Sequence, residues 1–206
     1  MTFNREWFKG AVNVKTAFGW DTKTFAWGRM HPAQDYSPLN GKREETIAST
    51  IIDGPVLWLI DNQGNSVLRQ FGNGIEVRYY HFKRDELSSD VIAALTVKGL
   101  SLKAGTPIGP ANHIGISVAS PGNDGSHVHL CIVAFTEIYK DIETIMSNKL
   151  WHVNKIDEFA RLYGEQFIVK VAEWKIAWMN ENVIARFDPL SQKNAYYLNP
   201  RIVLGA

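Results

Sequence analysis

The stretch from His127 to Ala134 constrains the fold more than any other. Its even positions Val128, Leu130 and Ile132 are apolar, while its odd positions are His127, His129 and Cys131. Side chains of a strand alternate between faces, so this pattern predicts a strand with one face in a core and the other carrying chemistry. The same texture precedes it. Ile51, Ile52 and Val56 to Ile60 supply β-branched and aromatic residues, Asn62 to Asn65 a turn, and Val67 to Phe71 a return strand, which together read as a hairpin. A turn at Gly72, Asn73 and Gly74 leads into Ile75 to Phe82, where alternation puts Ile75, Val77, Tyr79 and His81 on one face and directs His81 inward. Lys83 to Lys98 is more helical and reads as a loop with a short helix across the sheet edge. Ser101 to Gly109 resumes the strand pattern, and the Gly- and Pro-rich stretch Pro110 to Gly125 reads as an ordered loop.

Residues 1–135 are therefore expected to form an antiparallel β domain. From about Thr136 the pattern changes: Ile138, Ile142, Ile145 and Met146 make one helical stripe, and Ile156, Phe159, Ala160 and Tyr163 another. The expected fold is mainly β, α+β overall, with a helical C-terminal extension over 136–206 packed on the β domain through rings such as Trp151, Trp174 and Trp178. A chain of 206 residues has room for one domain with such an appendage, not for two full domains. A net charge of +1 argues against a nucleic-acid partner, whose binding needs clustered Lys and Arg. Glu6 and Lys9 interrupt any signal-peptide core, and the apolar run Pro55 to Ile60 is far too short to span a bilayer, so neither signal peptide nor membrane span is expected. The one cysteine, Cys131, has no intrachain partner, so the fold must rest on its core or on a bound metal.

Two small motifs carry metal chemistry. They are His31-Pro32-Ala33-Gln34-Asp35 and His127-Val128-His129. Zinc takes imidazole nitrogen and carboxylate oxygen, and a catalytic site uses three protein ligands with a fourth position left to water. His31, Asp35 and one of the paired histidines supply that set. Pro32 biases His31 towards extended geometry, so the first motif is a turn bringing two side chains to one point, at a strand end or in a loop. On the second, alternate residues stand roughly 6.6 Å apart along the strand, so one histidine sits on the metal and the other beside it.

The order of these motifs resembles the lysostaphin-type zinc endopeptidases. Their His-x-x-x-Asp reads here from His31 to Asp35, their strand-borne Tyr-x-His as Tyr79-Tyr80-His81, and their final His-x-His as His127-Val128-His129. Leu102 to Gly109 is similar to the family's segment between its catalytic histidines, and Phe18-Gly19-Trp20 to its early Phe-Gly signature, so the likeness spans about residues 17–135. The resemblance implies one zinc per chain on His31, Asp35 and His129, with His81 and His127 as a catalytic pair that binds no metal. One of that pair would act on the water and the other on the oxyanion; His127 is the favoured choice for the water, with the reverse open. It further implies an endopeptidase cutting amide bonds in peptidoglycan peptides or cross-bridges, reaching the cell wall as a phage or otherwise exported protein. The alternative is a non-catalytic module, binding peptidoglycan or a partner in a phage tail or secretion apparatus through the C-terminal helices, that keeps zinc for stability.

Some positions depart from the family. Ala33 stands where Gly is usual, which matters only if the backbone there needs positive φ, and Cys131 stands where Glu is common. Cys131 either joins the metal shell or, as its type favours, fills the groove floor. The loop Ser117 to Gly125 is long for the family. Trp20, Trp27 and Tyr36 line a substrate groove or belong to the core, and His113 and His152 are read as structural.

Overall fold

The computed structural model describes residues 3–10, 12–14, 17–21, 29–39, 42–72, 74–115, 124–134, 168–172, 175–179 and 183–204. Short strands come first: β1 (Phe8–Lys9), β2 (Val12–Val14), β3 (Gly19–Asp21), β4 (Arg29–His31), β5 (Gln34–Pro38) and β6 (Ile47–Ser49). The expected meander follows as β7 (Gly54–Ile60), β8 (Ser66–Gly72) and β9 (Ile75–Tyr80), each antiparallel to the next. Helix α1 (Ser89–Thr96) starts where the Ser88 hydroxyl accepts from the Val91 N–H at 3.3 Å, and it packs on β7 near the sheet edge, as the sequence suggests. Then come β10 (Ser101–Leu102), β11 (Pro107–Gly109) and β12 (Val128–Ala134). The fold is mainly antiparallel β.

β12 organises the main sheet. On one side it pairs with β9 over His129 to Ala134; on the other, β5 takes residues Val128 to Leu130. The expected alternation holds along β12. Val128, Leu130 and Ile132 enter one apolar cluster with Val77, Tyr79, Leu68 and Phe82, while Cys131 and Val133 enter a second with Ala33, Val67 and Tyr80. Fully burying each such side chain contributes about 1.5–3 kcal/mol before entropy is subtracted.

The expected helical C-terminal extension is corrected over 168–198. There the chain forms β13 (Ile168–Ala172), β14 (Lys175–Met179), β15 (Val183–Asp188) and β16 (Lys193–Leu198), and among the described residues of the extension only the short α2 (Pro200–Leu204) is helical. The local residues explain this. Val183, Ile184, Phe187, Tyr196 and Tyr197 favour a pleated surface, and the turn between β15 and β16 carries Pro189, Ser191 and a left-handed Gln192 at φ 56°. β16 pairs with β12 at Ile132 to Ala134, beyond the end of β5, and continues the same sheet through β15, β14 and β13. The helical stripes at Ile138 to Met146 and Ile156 to Tyr163, together with Trp151 and His152, lie outside the described residues. Among the described residues no helix is long and apolar enough to cross a membrane.

Candidate metal centre

Strand register builds the centre. β4 ends on His31, paired across from Gly19, whose φ of 111° only glycine adopts readily; Pro32 and Ala33 bend, and β5 begins at once. The turn anticipated between His31 and Asp35 is thus a strand-to-strand bend, made without positive φ at Ala33. In the sheet, Asp35 lies directly opposite His129 on one side, and Tyr80 lies opposite it on the other. Consequently His129 Nδ1 stands 2.9 Å from Asp35 Oδ1 and 3.1 Å from His31 Nε2, and His31 Nε2 stands 3.3 Å from the same carboxylate oxygen. The Tyr80 ring meets the His129 ring edge-on at 4.9 Å.

These three atoms fit a divalent ion. Ligands held tetrahedrally about 2.0–2.1 Å from zinc lie about 3.3–3.4 Å from one another, close to the spacings observed. The tautomer of His31 points the same way. Its Nδ1 donates to the Ala17 carbonyl at 3.0 Å, so in the neutral ring Nε2 offers a lone pair to the shared centre, facing a carboxylate oxygen that also only accepts. A cation between them resolves that opposition. Burial opposes charge on Asp35, yet the hydrogen bond with His129 and the nearness of His129 and His31 hold its carboxyl below the ordinary carboxylate range. Burial pushes His129 down to about 4, against the pull of Asp35, so the ring is neutral near pH 7, as a ligand must be.

His81 and His127 stand beside this triangle, their rings 4.4 Å apart. Each is fixed by a backbone carbonyl: His81 Nδ1 donates to Ile114 at 2.9 Å and His127 Nδ1 to Gly125 at 2.9 Å, leaving Nε2 of each neutral ring as an acceptor. His127 Nε2 lies 3.9 Å from Asp35 Oδ1. His81 reaches the centre by leaving the expected alternation. After Tyr80 the backbone turns to φ 75° at His81, so its ring stands over His127 and not in line with Val77 and Tyr79. Burial first, and the neighbouring His127 second, lower its pKa to about 4.

All five residues marked in the sequence are brought together. Cys131 is buried behind them in the second apolar cluster, outside the group of three donors. Tyr36 faces the first cluster, its ring edge-on to Trp7 at 5.0 Å, and so is core, not groove. Trp27 and the Trp20 side chain lie outside what is described. His113 is exposed, 3.7 Å from Asp124. Sequence reasoning missed Tyr80 and the carbonyls of Ala17, Ile114 and Gly125. Tyr80 was signalled by its place before His81 and opposite the final motif, whereas a backbone carbonyl leaves no mark in sequence.

No protein-family profile matches the chain, and no curated protein matches it. Solved structures do. The catalytic domain of the prophage-encoded protein EnpA from Enterococcus faecalis aligns at 15% identity over 62% of this chain and 85% of its own, with a TM-score of 0.43. The catalytic domain of lysostaphin from Staphylococcus simulans aligns at 17% identity over 62% and 83%, with a TM-score of 0.42. A zinc-containing peptidase from Vibrio cholerae aligns at 23% identity over 64% of this chain and 36% of its own, with a TM-score of 0.43. These neighbours are peptidases of the lysostaphin type. Likeness at this level bears on nothing further, and the function rests on the centre's own geometry.

Proposed function

We propose that the chain is a zinc-dependent endopeptidase of the lysostaphin type, hydrolysing amide bonds in bacterial peptidoglycan peptides or cross-bridges. The observation that carries the reading is the mutual approach, within 2.9 to 3.3 Å, of His31 Nε2, Asp35 Oδ1 and His129 Nδ1 beside two histidines whose Nδ1 protons are committed to carbonyls. His31, Asp35 and His129 would hold one zinc ion per chain. Zinc, when bound, supplies a Lewis acid that polarises a carbonyl and lowers the pKa of water to about 7. The chain supplies the proton handling. His127 Nε2, nearer the Asp35 carboxylate, takes the proton; His81, kept neutral by burial and by a charged His127, accepts a hydrogen bond and orients the nucleophile. Protonated His127 then becomes the donor to the developing oxyanion or the departing amine.

Delivery to the cell wall from a phage or by export belongs to the same proposal. The test couples metal analysis to digestion of purified cell wall, with mass spectrometry of released peptides. One zinc per chain and loss of cleavage in His127→Ala are expected. Full activity of metal-free protein, or of Asp35→Ala, overturns the mechanism, and one tightly held zinc with no cleavage of any wall turns the reading to the binding module.

A further inference from the structure

One short segment from outside the metal centre, residues 111–114, reaches both histidines of the pair. The Asn112 carbonyl accepts from the His127 N–H at 2.9 Å in an isolated antiparallel bridge. Two residues on, Ile114 donates its N–H to the His81 carbonyl at 3.1 Å and accepts from His81 Nδ1 at 2.9 Å. One short segment therefore fixes the main chain of both histidines and the tautomer of one. Its far end runs against Asn65: a side chain at Gly115 would lie 2.3 Å from Asn65 Oδ1, so the chain passes there at glycine distance.

What fixes its near end is a polar brace. Asn112 is buried, with its Oδ1 accepting from the His113 N–H at 3.0 Å and its Nδ2 donating to Glu86 Oε2 at 3.0 Å. Glu86 is itself clamped by Arg43, whose two terminal nitrogens reach it at 2.7 and 3.1 Å and whose Nη1 also contacts the Ala111 carbonyl at 3.4 Å. Arg43 and Glu86 belong to two different 3₁₀ turns, Arg43–Glu45 and Arg84–Glu86, so the brace ties the segment to two points of the scaffold. Bidentate Arg–carboxylate geometry is what makes an ion pair this accessible worth having.

We propose that Asn112 is a positioning residue for the His81–His127 pair, and that Arg43 and Glu86 act through it. The proposal rests on the reading of that pair as catalytic, but its structural half does not. The ligands lie on β4, β5 and β12, so loosening the brace leaves metal binding intact while the two imidazoles lose their alignment. Misplacement on the order of 1 Å costs about 100-fold in rate.

Asn112→Asp is the isosteric test, since it keeps the acceptor for His113 but sets a carboxylate against Glu86 and cannot donate. It is expected to retain one zinc per chain and a KM within about twofold, with kcat lowered roughly 10- to 100-fold. The double variant Asn112→Asp with Glu86→Gln removes the facing carboxylates and reverses the hydrogen bond at the cost of one of the two Arg43 bonds, and is expected to recover part of kcat. In the protein as purified, the Nδ1 protons of His81 and His127, followed by nitrogen-edited NMR, should exchange with solvent faster in Asn112→Asp than in wild type, and slow again in the double variant. Wild-type kcat and wild-type exchange in a folded Asn112→Asp overturn the proposal, as does a double variant no better than the single. If Asn112→Asp fails to fold, Glu86→Gln alone is read by the same exchange measurement. Should wild type cleave no wall peptide, the exchange data still decide the positioning claim while the enzymatic reading falls separately.

Discussion

At the scale of single residues, His81 shows how a site can depart from the pattern that announces it. A non-glycine residue at φ 75° costs on the order of 1–2 kcal/mol, and here the conformation is held by main-chain bonds to Ser66 and Ile114 at 3.0 and 3.1 Å. Asn tolerates this region better than His. His81→Asn is therefore expected to stay within about 1 kcal/mol of wild type in urea unfolding, to keep its zinc, and to lose about 100-fold or more in turnover; loss of metal would show that His81 is a ligand. Protonation gives a second reading. The unfolded chain takes up a proton at His81 as pH falls through about 6.5, whereas the folded chain resists until about 4, so stability falls across that window and is unaffected above it. Metal-free wild type should lose stability between pH 7 and pH 4.5, and His81→Asn should lose less; an equal loss would assign the effect elsewhere. The closeness of His31 to Asp35 was legible because their spacing is local, whereas the choice of His129 over His127 came from a resemblance alone, since the register that sets Asp35 opposite His129 leaves no local mark. The turn at His81 was not, since a single left-handed residue leaves the apolar period of Ile75, Val77 and Tyr79 unchanged.

At the scale of elements, the hairpin of β7 and β8 was readable from composition, but the contact that sets its width was not. Gly54 has φ 150°, and a Cβ there would lie 1.7 Å from the Phe71 carbonyl oxygen; at Gly72 one would lie 2.3 Å from that of Asp53. Backbone meets backbone at this crossing, and no rotamer change can relieve a methyl placed in it. Gly54→Ala is expected to destabilise the protein by about 3 kcal/mol or more in urea unfolding, well above the usual cost of a surface substitution; a change under about 1 kcal/mol would mean that the crossing opens freely. The C-terminal strands fail in the opposite way. Their β-branched and aromatic residues are present in the sequence, and the helical spacing of Ile138 to Tyr163 does not extend to them. β16 pairs locally with β15, but on its other side its partner is β12, more than sixty residues earlier, and that non-local pairing is invisible to any local period.

At the scale of the whole molecule, the C-terminal strands share charge as well as hydrogen bonds with the strands of the centre. Arg78, fully buried on β9, forks onto Asp188 at 2.8 and 2.6 Å and onto Glu76 at 2.6 and 3.1 Å; Arg69 also pairs with Glu76, and the Tyr197 hydroxyl donates to Asp188 at 2.7 Å. Two guanidinium groups thus meet two carboxylates in the interior, on the face that carries Tyr80 and His129. A buried pair gains little over an apolar replacement, but removing one member strands the other's charge. Asp188→Asn keeps the shape and removes the charge, leaving Glu76 to offset both Arg78 and Arg69, and should cost about 3 kcal/mol at pH 7. The pH dependence follows in sign. Although burial opposes charge on Asp188 and Glu76, bonding to Arg78 and Arg69 holds both below their ordinary range. Their contribution is complete above about pH 5 and is lost as pH falls further, towards the range where the folded protein's carboxylates protonate. The gap between wild type and Asp188→Asn in urea unfolding should therefore be full at pH 7, still full at pH 5, and narrower at pH 3. A gap that stays constant down to pH 3 would mean that Asp188 works through shape and not charge. In that case the join between β9 and the C-terminal strands would rest on the Tyr80, Ile184 and Tyr197 packing alone.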